Sequence, residues 1–263
     1  MNKNIYVDLT NEFNTGKLRA ILSSGQAVVM HELAVMSKDG DWILRENQES
    51  LKHILTILEK HGARYRFGAP LDVQWLSGGW SSHFEFQHEL LRVRTDFVTR
   101  PPRINAENLT AMWREQEHYG FPFTNIRDLI ELKKTNREKD YAVIGELSRL
   151  LTDVSEQLLL SRSAKDLIQL AKTHGDLVSQ LVTKRPLLNE ISSGIDKLEA
   201  ALDAERRALM HKNENRLAVY MEAAEEWVNV WPKVAKEIAM LPLLDAHSVV
   251  AERAAGVLPY KPL

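Results

Sequence analysis

The chain has 263 residues, with 34 Lys and Arg against 36 Asp and Glu, for a formal net charge of −2. That balance lacks the overall basic footprint behind non-specific nucleic-acid binding, and a composition 44% hydrophobic and 27% charged is that of an ordinary globular protein with room for one large domain or two modest ones. Cysteine is absent, which excludes disulfides, thiolate zinc sites and a cysteine nucleophile.

Met1–Thr10 is polar and lacks the apolar core of a signal peptide. No apolar run approaches the roughly 18 residues of a membrane span. The expected location is the cytoplasm, with no membrane partner. β-leaning patches follow at Arg19–Ser23, Asp41–Leu44, Arg64–Phe67, Leu71–Leu76, His83–Phe86 and Leu90–Thr99, several alternating apolar and polar as half-buried strands do. Between them Leu51, Ile54, Leu55 and Leu58 recur at helical spacing, with Ser50 as cap and His61-Gly62 as stop. Gly78-Gly79 interrupts the strands and Gln87–Glu89 reads as a hairpin turn. Beyond residue 120 the pattern becomes helical. Thr124 or Asn125 caps a helix through Leu132, and further helices are predicted over Lys139–Leu160, Ala164–Val182 and Ser192–Trp231. Pro186 stops the third of these four, Pro232 kinks the last, and Pro242 ends a final segment. Leu258–Leu263 reads as loop. Two domains are expected, 1–120 and 121–263.

The chemistry concentrates in Leu22-Ser23-Ser24-Gly25-Gln26-Ala27 and Ser37-Lys38-Asp39-Gly40-Asp41. A strand would enter a small-residue turn at Ser24-Gly25, and a helix would start at about Gln26. Small residues let backbone N–H groups approach a phosphate, which a helix N-terminus also favours. Asp39 and Asp41, at i and i+2 of an extended segment, point to one face. Two carboxylates side by side repel unless a cation lies between them. Asp96, in the strand-like Leu91–Val98, is the candidate third carboxylate, with Glu85 the second choice.

These stretches resemble the nucleotidyltransferase superfamily, and most closely its minimal, AbiEii-like branch from toxin–antitoxin and phage-defence loci. Ser24-Gly25-Gln26-Ala27 matches the branch's small-residue turn, His31 its histidine, Ser37-Lys38-Asp39-Gly40-Asp41 its paired-acid motif and Thr135–Tyr141 a basic element after the sheet. The likeness covers residues 16 to 145. The chain departs from the pattern where Ser24 replaces the first glycine of the turn, Glu32 stands at a position often glycine, Val35 at one often arginine, and Gly40 replaces an apolar residue between the acids.

The resemblance implies an α+β fold: a mixed nucleotidyltransferase-fold sheet with flanking helices, followed by an α-helical C-terminal domain. It implies Mg2+ or Mn2+ held by Asp39, Asp41 and Asp96 as the catalytic carboxylates. It further implies a nucleoside triphosphate substrate contacted by Ser24, Gly25, Ser37 and Lys38, with Lys133, Arg137 or Lys139 reaching its phosphates. The expected reaction moves a nucleoside monophosphate to a hydroxyl on a protein, a tRNA or a small molecule, and the C-terminal helices would recognise the acceptor or a partner protein. The rival expectation is a catalytically inactive protein of the same fold that acts by binding, as an antitoxin or complex subunit.

Overall fold

The computed structural model describes residues 4–118 and 120–262. The parts of the N-terminal and C-terminal expectations that fall on residues 1–3 and 263 lie outside the described residues, as does residue 119. The chain forms two compact units, Met1–Thr124 with Ala218–Leu263, and Asn125–Leu217. The α+β class holds: a five-stranded mixed sheet lies in the first unit and the second is helical. Among the described residues no helix is long and apolar enough to cross a membrane.

Helix α1, Ile5–Phe13, opens the first unit in a stretch whose sequence reads as polar. Asn4 caps it by accepting from Tyr6 N, and Ile5, Tyr6, Leu9 and Phe13 bury one face. Strand β1 (Ala20–Ser23) leads into the seven-residue α2 (Ser24–Met30), then β2 (Asp39–Leu44) and α3 (Gln48–Lys60). The cap of α3 is Asn47, whose Oδ1 accepts from Ser50 N. Ser50 itself lies one turn inside. After β3 (Arg64–Tyr65), the segment expected as a strand at Leu71–Leu76 is instead the short helix α4, Val73–Leu76, because Asp72 accepts from Gln74 N and starts a turn. Strands β4 (Ser82–His88) and β5 (Leu91–Val98) form a hairpin turning at Glu89-Leu90, and α5 (Ala106–Gln116), not foreseen from the sequence, follows. The sheet order is β1-β2-β5-β4-β3, with β2 and β5 the parallel pair and the other pairs antiparallel.

One sheet face packs on the core. Trp42 is fully buried, stacks on Phe97 at 5.4 Å between centroids and donates its indole N–H to Thr10 Oγ1 at 2.9 Å. The same core takes in the C-terminal helices α12 (Glu225–Ile238) and α13 (Leu243–Ala255) through Trp227, Val234, Ile238, Leu243 and Val250. Pro232 sits inside α12 and the break in the long helix falls at Ala224. Pro242 begins α13 and does not end a segment, consistent with the tolerance of helix starts for proline. The stripe of Trp227 and Trp231 is core, with Trp227 donating to Gly68 O at 3.0 Å.

His247 on α13 accepts or donates a 2.7 Å hydrogen bond to the buried Tyr65 hydroxyl through Nδ1. Burial disfavours its charged form and holds its pKa below the ordinary 6.5, with Asp72 opposing weakly. The unfolded chain therefore binds this proton first as pH falls. Stability is full above 6.5 and declines as pH drops from there toward the lower folded value. Thermal melting followed from pH 8 to 5 is expected to show that acid slope, reduced in His247→Gln.

In the second unit the helices predicted as single runs are broken. The first divides into α7 (Glu138–Arg149) and α8 (Val154–Leu160), where Asp153 caps a new start. The second divides at His174 into α9 (Ala164–Thr173) and α10 (Gly175–Leu181). Helix α6 (Ile126–Lys133) precedes them, capped by Asn125, and a 3-10 segment (Pro186–Ser193) leads to α11 (Ile195–Ala223), within which the boundary between units falls. Leu158, Leu167, Leu188, Leu198 and Leu202 form the core of this unit. Arg185, buried beside them, is satisfied by Leu158 O, Ser161 O and Glu205.

Candidate active site on the open sheet face

In β2 the side chains alternate. Gly40 and Trp42 face the core, so Asp39 and Asp41 leave from the opposite face. The parallel register places Asp96 of β5 directly beside Asp41, and Arg94 beside Asp39. On the other side of Asp41 stands Ser23 of β1, and beyond Asp96 stands His83 of β4. One row thus crosses four strands as Ser23, Asp41, Asp96, His83, each about 4.8 Å from the next at ordinary strand spacing.

Gly40 has a steric reason. A Cβ there would lie 2.4 Å from the Trp42 ring and 2.5 Å from Tyr6 Cδ1. The α1 residue Tyr6 folds over the strand at this point, and its hydroxyl donates to Lys38 O at 2.6 Å. Burial first, and the negative charge of Asp39 next, push the Tyr6 phenol up from its ordinary pKa, with Asp41 adding in the same sense.

The three acids differ in what they touch. Asp39 Oδ1 is buried and has no hydrogen-bond partner among the described residues, Arg94 Nη1 being 3.9 Å away. Asp96 Oδ1 takes two donors, His83 Nδ1 at 2.6 Å and Arg66 Nη2 at 3.1 Å. Both meet the same oxygen. Glu85, the second choice for a third carboxylate, is held bidentately by Arg92. Neither Arg66 nor His83 stands out in the sequence as a partner of Asp96; only the pairing of β3, β4 and β5 brings them there.

The first residue of α2 has the backbone that glycine favours. Ser24 has φ +52°, and Glu32, just past the helix, has φ +61°. Both are positions at which the resemblance drawn from the sequence leads to an expectation of glycine. Gly25 has no room for a side chain, since a Cβ would stand 2.2 Å from Ser37 Oγ. Ser37 is thus packed on the turn, with its carbonyl taken by Gln26 Nε2 at 3.0 Å, while the Lys38 side chain is exposed. A residue with a Cβ in the left-handed region costs about 1–2 kcal/mol, offset in part by the extra chain entropy of glycine. Ser24→Gly is accordingly expected to raise stability by up to about 1 kcal/mol, read as a higher urea midpoint at unchanged slope.

His31 is a packing residue: Nε2 meets Thr124 O at 2.9 Å and the ring lies against Phe123. In the second unit, Lys133 and Arg137 both turn to the buried Asp140, at 3.5 and 2.8 Å, so their charge neutralises that carboxylate. Lys139 is exposed on α7 at the rim of an open cavity of about 560 Å³ that Arg162, Asp203 and Arg206 also line.

For a divalent cation the donor chemistry is suitable: hard carboxylate oxygens from adjacent strands, one of them buried without a donor. Among the described residues, however, no three His, Asp or Glu side chains are grouped as a ready-made metal site.

No protein-family model and no curated protein matches the chain. Among solved structures it is similar to a protein from H. pylori that carries the provisional name nucleotidyltransferase, at 15% identity over 80% of this chain and 96% of that one, with a TM-score of 0.37. A likeness that distant transfers neither fold nor activity.

Proposed function

We propose that the first unit is a nucleotidyltransferase whose open sheet face binds a nucleoside triphosphate with a divalent cation, Mg2+ or Mn2+, and passes the nucleoside monophosphate to a hydroxyl. The observation that carries this reading is the row of Asp41 and Asp96 in register on parallel neighbours, with Asp39 on the same face and the Ser24-Gly25 turn following directly from Ser23, the residue opposite Asp41. The glycine-like backbone at Ser24 and Glu32 supports it independently. Asp39 and Asp41 would hold the cation, and Asp96 would join through Oδ2, the oxygen that takes neither Arg66 nor His83. A cation so held supplies neutralisation of triphosphate charge. The chain's own contribution is positional. Arg66 and Arg94 set positive charge at the rim, and Asp96 fixes the orientation of His83.

The test is titration of each of ATP, CTP, GTP and UTP by calorimetry with and without Mg2+. Heat of binding that appears only with the metal supports the reading, and no binding under either condition refutes it. Incubation with α-labelled triphosphate and cell extract then identifies the acceptor among protein, tRNA and small molecules. The second reading, a binding protein without catalysis in a toxin–antitoxin or defence complex, is favoured by one observation: Asp96 Oδ1 is already occupied by two donors. It predicts partner capture that persists when triphosphate binding is removed.

A further inference from the structure

From the end of the acid row a hydrogen-bonded chain runs on to Ser81, a residue that the proposed reading does not use. Ser81 Oγ and His83 Nε2 are 2.9 Å apart, and His83 Nδ1 is 2.6 Å from Asp96 Oδ1. Ser81 and His83 are two residues apart at the start of β4, and His83 is registered opposite Asp96 on the face that carries the acids. With Nδ1–H donated to the carboxylate, Nε2 is left as the acceptor for the Ser81 hydroxyl proton. A hydroxyl, an imidazole and a carboxylate in this order form the arrangement by which a serine hydroxyl is activated as a nucleophile.

The chain is held in place from several sides. Gly68, with φ +133°, lies so close that a Cβ would be 2.6 Å from His83 Cδ2 and 2.7 Å from Ser81 O. Its carbonyl is fixed by Trp227. Trp80, next to Ser81, donates to Pro259 O at 2.9 Å, and Tyr220 donates to Gly78 O at 2.9 Å. The Gly78–His83 segment is therefore pinned, not a loose loop, and Ser81 is half-buried at its end.

We propose that Ser81 is itself an acceptor: the protein nucleotidylates its own Ser81. This rests on the triphosphate-binding reading above. Ser81 Oγ attacks the α-phosphorus, an Oγ–P bond forms, and the bond from the α-phosphorus to the bridging α–β oxygen breaks. Pyrophosphate leaves with that oxygen, and the hydroxyl proton goes to His83 Nε2. The product is a phosphodiester between Ser81 and a nucleoside monophosphate. No redox partner is needed. The arrangement of Asp41, Asp96 and His83 on three neighbouring strands puts the nucleophile on the same face as the carboxylates that would hold the cation of a metal-bound triphosphate.

The experiment incubates the full chain with each α-32P-labelled triphosphate and Mg2+, followed by intact-mass measurement and peptide mapping. The expected result is a mass increase of one nucleoside monophosphate, mapped to Ser81. It should be absent in Ser81→Ala and reduced at least 10-fold in His83→Ala, with circular dichroism melting confirming that both variants are folded. Triphosphate binding without any adduct on Ser81 in the unmodified protein overturns this proposal and leaves the nucleotidyltransferase reading standing. An adduct that persists in Ser81→Ala overturns it too. Failure to bind triphosphate at all overturns both. Because the wild-type map alone decides the matter, misfolding of a variant does not blunt the test.

Discussion

Asp39→Asn combined with Asp41→Asn is expected to lower magnesium-dependent triphosphate affinity by more than about 100-fold, since even supporting residues around a metal commonly cost 10–100-fold and these would be direct ligands. The same double variant is expected to melt within about 1 kcal/mol of the parent. Asp39 Oδ1 has no hydrogen-bond donor to lose, and removing both carboxylate charges ends the repulsion between these two neighbours on one strand face. Calorimetric titration and thermal melting on the same sample separate the outcomes. Binding retained at parental affinity would remove Asp39 and Asp41 from any role in holding nucleotide. Binding lost together with a collapse in melting temperature would mean that the acids serve the fold.

Gly40→Ala is expected to have the larger effect on stability. The added methyl would enter the Trp42 ring at 2.4 Å and Tyr6 at 2.5 Å, both in a fully packed layer. Overpacking of a dense core typically costs about 1–3 kcal/mol, and here two aromatic rings must move together with α1, so about 3 kcal/mol or more is expected. For a chain of this size that corresponds to a fall in Tm of roughly 6–12 °C. Because Asp39 and Asp41 flank Gly40, the displaced strand should also weaken nucleotide binding. A melting temperature within 2 °C of the parent (about 1 kcal/mol or less) would show that α1 can lift away at little cost.

Gly40 also shows where the sequence is silent. Alternation made it possible to read Asp39 and Asp41 as sharing a face, and the apolar flanks of Asp96 marked a strand. Nothing in those residues says why glycine separates the acids. The answer lies in Tyr6, on a helix hidden in a stretch that reads as polar because its apolar residues, Ile5, Tyr6, Leu9 and Phe13, are few and spaced around turns. Asn4 was the available signal, as a cap just ahead of that spacing. The long helical runs failed for a similar reason: Asp153 and His174 are polar residues within helical periodicity, and a new helix starts at each, Asp153 capping its helix with the side chain. The engagement of Asp96 by Arg66 and His83 was beyond reach, because it depends on which strands become neighbours, and that is decided by the whole sheet.

The indoles of Trp75 and Trp80 have a consequence for biosynthesis. Each N–H finds its acceptor 183 and 179 residues further along, at Leu258 O and Pro259 O. On the ribosome the β-strands emerge well before the helices α12 and α13 that pack on their apolar side. Until those helices follow, the apolar face of the nascent sheet has no cover from this part of the chain, and such exposed surface is what makes a partly folded chain prone to aggregate.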